Sequence, residues 1–241
     1  MNIRRLVVKT ALLASIALAS PLSVMSAQPA STSKPKIGLI GSGNVGSNLG
    51  RVWASKGYQV MFSSRDIEAD RKLAAQVGSG ARAGTPQEAA AFADVLVFAV
   101  PYGALPELGR SLGATLQGKV LIDACNPFPQ RDGAIADEAR AQGAGAVSAR
   151  LLPGARIVRA FNAVGAARMG VMHQTPGKVG MPIASDDQAA VEVASSLIRD
   201  IGFEPVLVGR LDMGRFLMPG TPLAGEHTPE EIRRIAATLK P

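Results

Sequence analysis

The chain has 241 residues and a formal net charge of +7, with 19% charged and only 4% aromatic residues. Its one cysteine, Cys125, excludes an intrachain disulfide and a cysteine-cluster metal site, and its two histidines, His173 and His227, are not spaced as a metal pair. No basic run interleaved with aromatics accompanies the positive charge, so nucleic acid is not the expected partner.

Residues 1–27 read as an export signal. Arg4, Arg5 and Lys9 form a basic start, Ala11 to Ala19 is largely apolar, Pro21 breaks the run, and the small residues Ser26, Ala27 and Ala30 follow. The apolar stretch is too short to span a membrane, so no span is expected once the signal is removed. Arg4-Arg5-Leu6-Val7-Val8-Lys9 also resembles a twin-arginine signal, with valines at the usual aromatic and leucine positions. Either export route implies a periplasmic destination. Residues 28–35 read as a linker, and residues 36–241 as the folded domain.

The run Lys36-Ile37-Gly38-Leu39-Ile40 is an apolar strand, and it turns into a helix through Gly41-Ser42-Gly43-Asn44-Val45-Gly46. In that spacing Gly41 permits the tight turn, Gly43 lets the main chain approach a pyrophosphate, and Gly46 lets the helix pack closely on the strand. The amide end of the helix, 44–56 with Gly57 at its C′ position, supplies N–H donors and a positive dipole end. The next strand, 58–62, leads into Ser63-Ser64-Arg65-Asp66. A hydroxyl beside a guanidinium at this point suits the 2′-phosphate of NADP, where a carboxylate would suit the free ribose of NAD. Asp66 keeps NAD open, because a small shift in the strand end makes it the ribose-binding acid. Arg71 and Lys72 add positive charge nearby.

Further strands are expected at 94–100, 119–124, 156–161, 179–184 and 204–208. Helices are expected at 67–77, 85–92, 103–113, 134–142 and 187–201, the last with Asp186 as N-cap. The continuous apolar strands indicate a mainly parallel sheet covered on both faces, hence an α/β, Rossmann-type doubly wound single domain. Beyond Gly209 a loop at Pro219-Gly220-Thr221-Pro222 precedes a short C-terminal helical tail, capped by Thr228 with Pro229 at its first position. That helix either covers the sheet edge or meets a second subunit, as in a homodimer.

Several segments together resemble the NADP-binding domain of deazaflavin-dependent NADP oxidoreductases, which also occurs in membrane metalloreductases and, more remotely, at the start of pyrroline-carboxylate reductases. They are Gly41–Gly46, Ser64-Arg65, residues 93–101, Ala160-Phe161-Asn162-Ala163, residues 181–187 and residues 208–215. The chain departs from the family at Ala69, where a lysine is frequent. The resemblance implies NADP as cofactor, with Ser42, Gly43, Asn44 and Val45 around the pyrophosphate and Ser64 and Arg65 on the 2′-phosphate. Val100, Pro101 and Tyr102, Asn126-Pro127 and Asn162-Ala163 would lie near the nicotinamide half. A flavin or deazaflavin is the implied second substrate.

Hydride transfer to such a small-molecule acceptor asks little acid–base chemistry of the protein. Accordingly no catalytic residue and no metal ligand is assigned. A carbonyl or imine reductase needs a general acid, and Tyr102 is the one tyrosine suitably placed. Cys125 reads as a small core residue, Asp123 as a loop cap, and His173 as a solvated loop side chain. The competing reading is a non-catalytic NADP-binding partner or redox sensor.

Overall fold

In the computed structural model residues 34–240 are described; the segment expected to be an export signal and most of the expected linker lie outside them. Strand β1 (Ile37–Ile40) enters helix α1 (Asn44–Ser55), and β2 (Val60–Ser63) enters α2 (Ile67–Val77). A two-residue strand β3 (Arg82–Ala83) and α3 (Pro86–Phe92) precede β4 (Val95–Phe98), α4 (Leu105–Leu112) and β5 (Val120–Asp123). Next come α5 (Pro129–Asp132), α6 (Ala134–Gln142), α7 (Ala144–Leu151), β6 (Arg156–Arg159) and α8 (Ala166–Met169). The fold ends with β7 (Gly180–Ser185), α9 (Gln188–Ile201), β8 (Glu204–Gly209) and α10 (Pro229–Ala236).

The eight strands form one sheet in the order β3-β2-β1-β4-β5-β6-β7-β8. Strands β1 to β6 are mutually parallel; β7 joins β6 antiparallel and β8 runs parallel to β7. The sheet is therefore mainly parallel and of Rossmann type, as the apolar runs imply. Alternation within β4 explains why both faces need cover. Val95 and Val97 point into one core, with Trp53 of α1 and Leu197 of α9, while Leu96 and Phe98 point into the other, with Leu105 of α4 and Val147 of α7. A third, smaller core lies where α10 packs on β7 and β8 through Ile232. The last helix thus spends its apolar side on the sheet.

Two expectations change. Asp187, not Asp186, caps α9, accepting from Ala190 N at 2.9 Å, while Asp186 pairs with Arg210 at 3.1 Å and accepts from Leu211 N. The sequence reading also lacks α7, an Ala- and Gly-rich segment whose small side chains form no apolar stripe, although Gly145 and Val147 are buried.

Candidate functional site

The strand order reverses between β2 and β4, on either side of β1, so the β1–α1 turn opens at the switch point of the sheet. Gly41 leaves β1 at φ +102°, a conformation natural to glycine, and a Cβ there would overlap Ala99 O at the end of β4. A Cβ on Gly46 would overlap Gly41 O. Gly43, the N-cap residue, differs: no heavy atom lies within 4 Å of where its Cβ would stand. No side chain caps α1 and no acid lies in its first turn. Exposed Asn44 and half-buried Val45 therefore begin a helix whose positive end is free for an anion.

At the end of β2, Ser63 Oγ donates to Leu39 O at 2.9 Å and holds the two strand ends together. Ser64 is half-buried and donates to Asp70 Oδ2 at 2.8 Å; Ser42 Oγ donates to Asp70 Oδ1. Asp70 itself is wholly buried. Arg65 is exposed and makes no ion pair among the described residues. Asp66, exposed, is the N-cap of α2, its Oδ1 accepting from Ala69 N at 3.0 Å. Arg71 is paired to Glu68 in solvent.

At the end of β4, Val100 lies beside Gly41 and Pro101 is exposed. Tyr102 turns away into the second core, where its hydroxyl donates to Ala144 O at 2.7 Å and lies 3.0 Å from Ser148 Oγ. Burial raises its phenol above the usual range. It therefore neither walls the crevice nor serves as an acid, contrary to its expected place near the nicotinamide.

The other half of the crevice is a cleft of about 600 Å³ at the ends of β5 and β6. Val45, Ala124, Asn126, Asn162, Ala163 and Thr221 contribute to its lining, which contains no titratable side chain. Asn126 Nδ2 donates to Asn162 O at 2.9 Å, joining the loops after β5 and β6. The carboxamide oxygens of both asparagines are buried without a hydrogen-bond partner among the described residues. Phe161, directly before this turn, has φ +63° although it is not glycine. Such a conformation costs on the order of 1–3 kcal/mol, and edge-on contacts with Trp53 and Phe203 hold it. Beneath lies a fully buried pair, Arg159 Nη1 to Asp123 Oδ2 at 2.6 Å, and Asp123 Oδ1 accepts from Cys125 N at 2.9 Å. Asp123 is thus the loop cap expected of it. Cys125 is buried and its thiol is pushed up by burial, as suits a core residue. His173 does not line the cleft.

Two contributors are missing from the sequence reading. The loop 219–225 forms one wall of the cleft, tied by Gly225 N to Ala163 O at 2.8 Å. Asp70 is the other. Its signal was present: it and Ala74, four apart, form the buried side of α2, an odd place for an acid.

A family profile described as NADP oxidoreductase coenzyme F420-dependent matches residues 36–127. An F420-dependent NADP reductase of Methanothermobacter thermautotrophicus is 32% identical over 202 residues, spanning 78% of this chain and 87% of that protein. The chain belongs to the F420-dependent NADP reductase family. The resemblance read from the glycine turn, Ser64-Arg65 and the later segments is borne out, and with it the enzyme class, an oxidoreductase. Metalloreductase STEAP3 of Rattus norvegicus is 28% identical over 184 residues, which span 75% of this chain but 35% of that longer protein. A solved structure of a candidate F420-dependent NADP-reductase from Arthrobacter sp. superimposes with a TM-score of 0.67 at 22% identity, covering 76% of this chain and 88% of that one. It shares the Rossmann-type fold of the family.

Proposed function

We propose that the protein is an NADP(H)-dependent oxidoreductase that exchanges hydride with a flavin-like or other small acceptor. The observation that carries this reading is the continuity of the crevice. An uncapped helix amide end and an open Gly43 adjoin, through Val45, a cleft lined only by uncharged groups.

Bound NADPH would supply the hydride, and the protein supplies binding, orientation and exclusion of water. The glycine turn 41–46 would hold the pyrophosphate on main-chain amides, because Gly41 and Gly46 keep it closed and Gly43 keeps it accessible. Arg65, exposed at the end of β2, would face the adenosine phosphate. Val100 borders the turn, and Ala163 and Asn126 line the cleft. The buried acceptor oxygens of Asn126 and Asn162 fit a group bearing amide N–H donors, such as a nicotinamide carboxamide. The strained Phe161 and the Asp123–Arg159 pair hold this region in one arrangement. Among the described residues no acid or base lines the cleft, which favours hydride acceptors that need no protein proton donor over carbonyl or imine substrates.

The test is NADPH oxidation by the purified protein with flavins, a deazaflavin, quinones or ferric chelates offered separately. Turnover with at least one of them is expected. Tight nucleotide binding with none of them reduced would favour the non-catalytic sensor or partner. No nucleotide binding at all would refute both readings.

A further inference from the structure

The adenosine end of the crevice contains a charge that a 2′-phosphate site does not call for. Ser64, at the end of β2, is the hydroxyl expected at that phosphate, and Ser42 of the glycine turn stands beside it through a shared partner. Both donate instead to one carboxylate, Ser42 to Asp70 Oδ1 and Ser64 to Asp70 Oδ2 at 2.8 Å. Asp70 is wholly buried, and these two hydroxyls are its only side-chain hydrogen-bond partners among the described residues. No cation pairs with it among those residues.

A serine hydroxyl has one proton to give and two lone pairs, whereas an ionised carboxylate only accepts. With both protons directed inward to Asp70, Ser42 presents its lone pairs to the crevice, and Ser64, which also accepts from Asp66 N at 3.1 Å, has one left to present. A phosphate dianion needs donors there, and it would meet acceptors with a buried negative charge behind them. The ribose diol of NAD has the opposite requirement, since its hydroxyls donate and are commonly met by a carboxylate. Asp70, acting through the two serines, relays that acceptor character without touching the ribose. Arg65 and Lys72, both exposed and in no ion pair among the described residues, remain to favour the phosphate.

We propose that Asp70 is the specificity-determining residue of this site, turning the serine pair from donors into acceptors so that NAD(H) is accepted alongside NADP(H). This rests on the nucleotide site proposed above. Replacement by asparagine removes the charge and, because its amide can donate to one serine, frees that hydroxyl's proton. Replacement by alanine frees both.

The experiment measures dissociation constants of NADPH and NADH for the wild-type protein and for Asp70→Asn and Asp70→Ala, by fluorescence or calorimetry, with circular dichroism to verify folding. The wild type is expected to bind the two nucleotides within about tenfold of each other, and each folded variant to shift the ratio toward NADPH by about tenfold or more. A wild-type preference for NADPH beyond about tenfold would overturn the proposal, even if neither variant folds. So would an unchanged ratio in either folded variant. If the folded wild type binds neither nucleotide, the nucleotide site itself is refuted; if it binds and the ratio does not move, only the role of Asp70 is.

Discussion

Gly43 and Gly46 stand three residues apart in one turn and are needed for opposite reasons. A methyl on Gly46 would overlap Gly41 O, a backbone atom that cannot move without opening the turn. Overpacking of this kind costs about 1–3 kcal/mol, so Gly46→Ala is expected to lower the urea midpoint and weaken nucleotide binding together. A methyl on Gly43 meets nothing within 4 Å among the described residues, and its backbone (φ −66°, ψ −162°) is extended and outside the left-handed region. Gly43→Ala is expected to change stability by less than about 1 kcal/mol yet weaken NADPH binding by about tenfold or more, since the methyl stands where a pyrophosphate would rest on the amides. Equal binding by this variant would place the pyrophosphate elsewhere. The thiol of Cys125 is expected to resist alkylation at pH 8 in the folded protein and to react on unfolding, because it is 1% exposed and burial holds it protonated.

Single elements show which features were legible in the sequence. The strands of the parallel region are apolar on both faces, so their pattern located β1, β2, β4, β5 and β6 to within two residues or so at each end. Thr228 with Pro229 announced α10, and Glu231 completes its capping box. The side of the cleft formed by residues 219–225 was not legible, because it depends on Gly225 reaching Ala163, a contact between segments with no shared periodicity. Nor was the antiparallel entry of β7, which is set by the loop that returns the chain along β6 and not by the strand's own residues. Asp70 went unread because its partners lie on two other segments.

The buried pair between β5 and β6 is an element-scale device. Asp123→Asn would leave the Arg159 guanidinium enclosed without a counter-charge, and breaking one side of such a pair costs about 3–5 kcal/mol. Denaturant unfolding should show that loss. At the start of α9 the two-bond pair of Arg156 with Asp187 holds the aspartate below its ordinary value. A depressed carboxylate contributes stability above its unfolded value and loses it as pH falls. The stability difference between the wild type and Asp187→Asn should therefore be full at neutral pH and shrink as pH drops through 3.8, the unperturbed value. A difference that grows in acid would contradict this.

At the scale of the whole molecule, the sheet separates titratable groups from the place where chemistry is proposed. Asp123 and Arg159 are sealed beneath the cleft and neutralise each other, Tyr102 is bonded to α7 on the far side of the sheet, and Cys125 is enclosed. Among the described residues the cleft surface is left to alanines, glycines, asparagines, two valines, a proline, a threonine and a phenylalanine. A reaction that drew on a side-chain acid or base would show that group's titration in its pH profile. Hydride transfer across this surface has none to show. Single-turnover oxidation of bound NADPH by an acceptor that does not itself titrate between pH 6 and pH 9 should therefore proceed at a rate that varies less than about threefold across that range. A sigmoidal or bell-shaped profile would mean that a titratable group enters the cleft during turnover. The candidates are Asp123 beneath the cleft and His227, whose Nε2 lies 3.1 Å from Ala224 O on the cleft's loop wall; the profiles of His227→Gln and of Asp123→Asn, measured where that variant is folded, would identify the group or exonerate both.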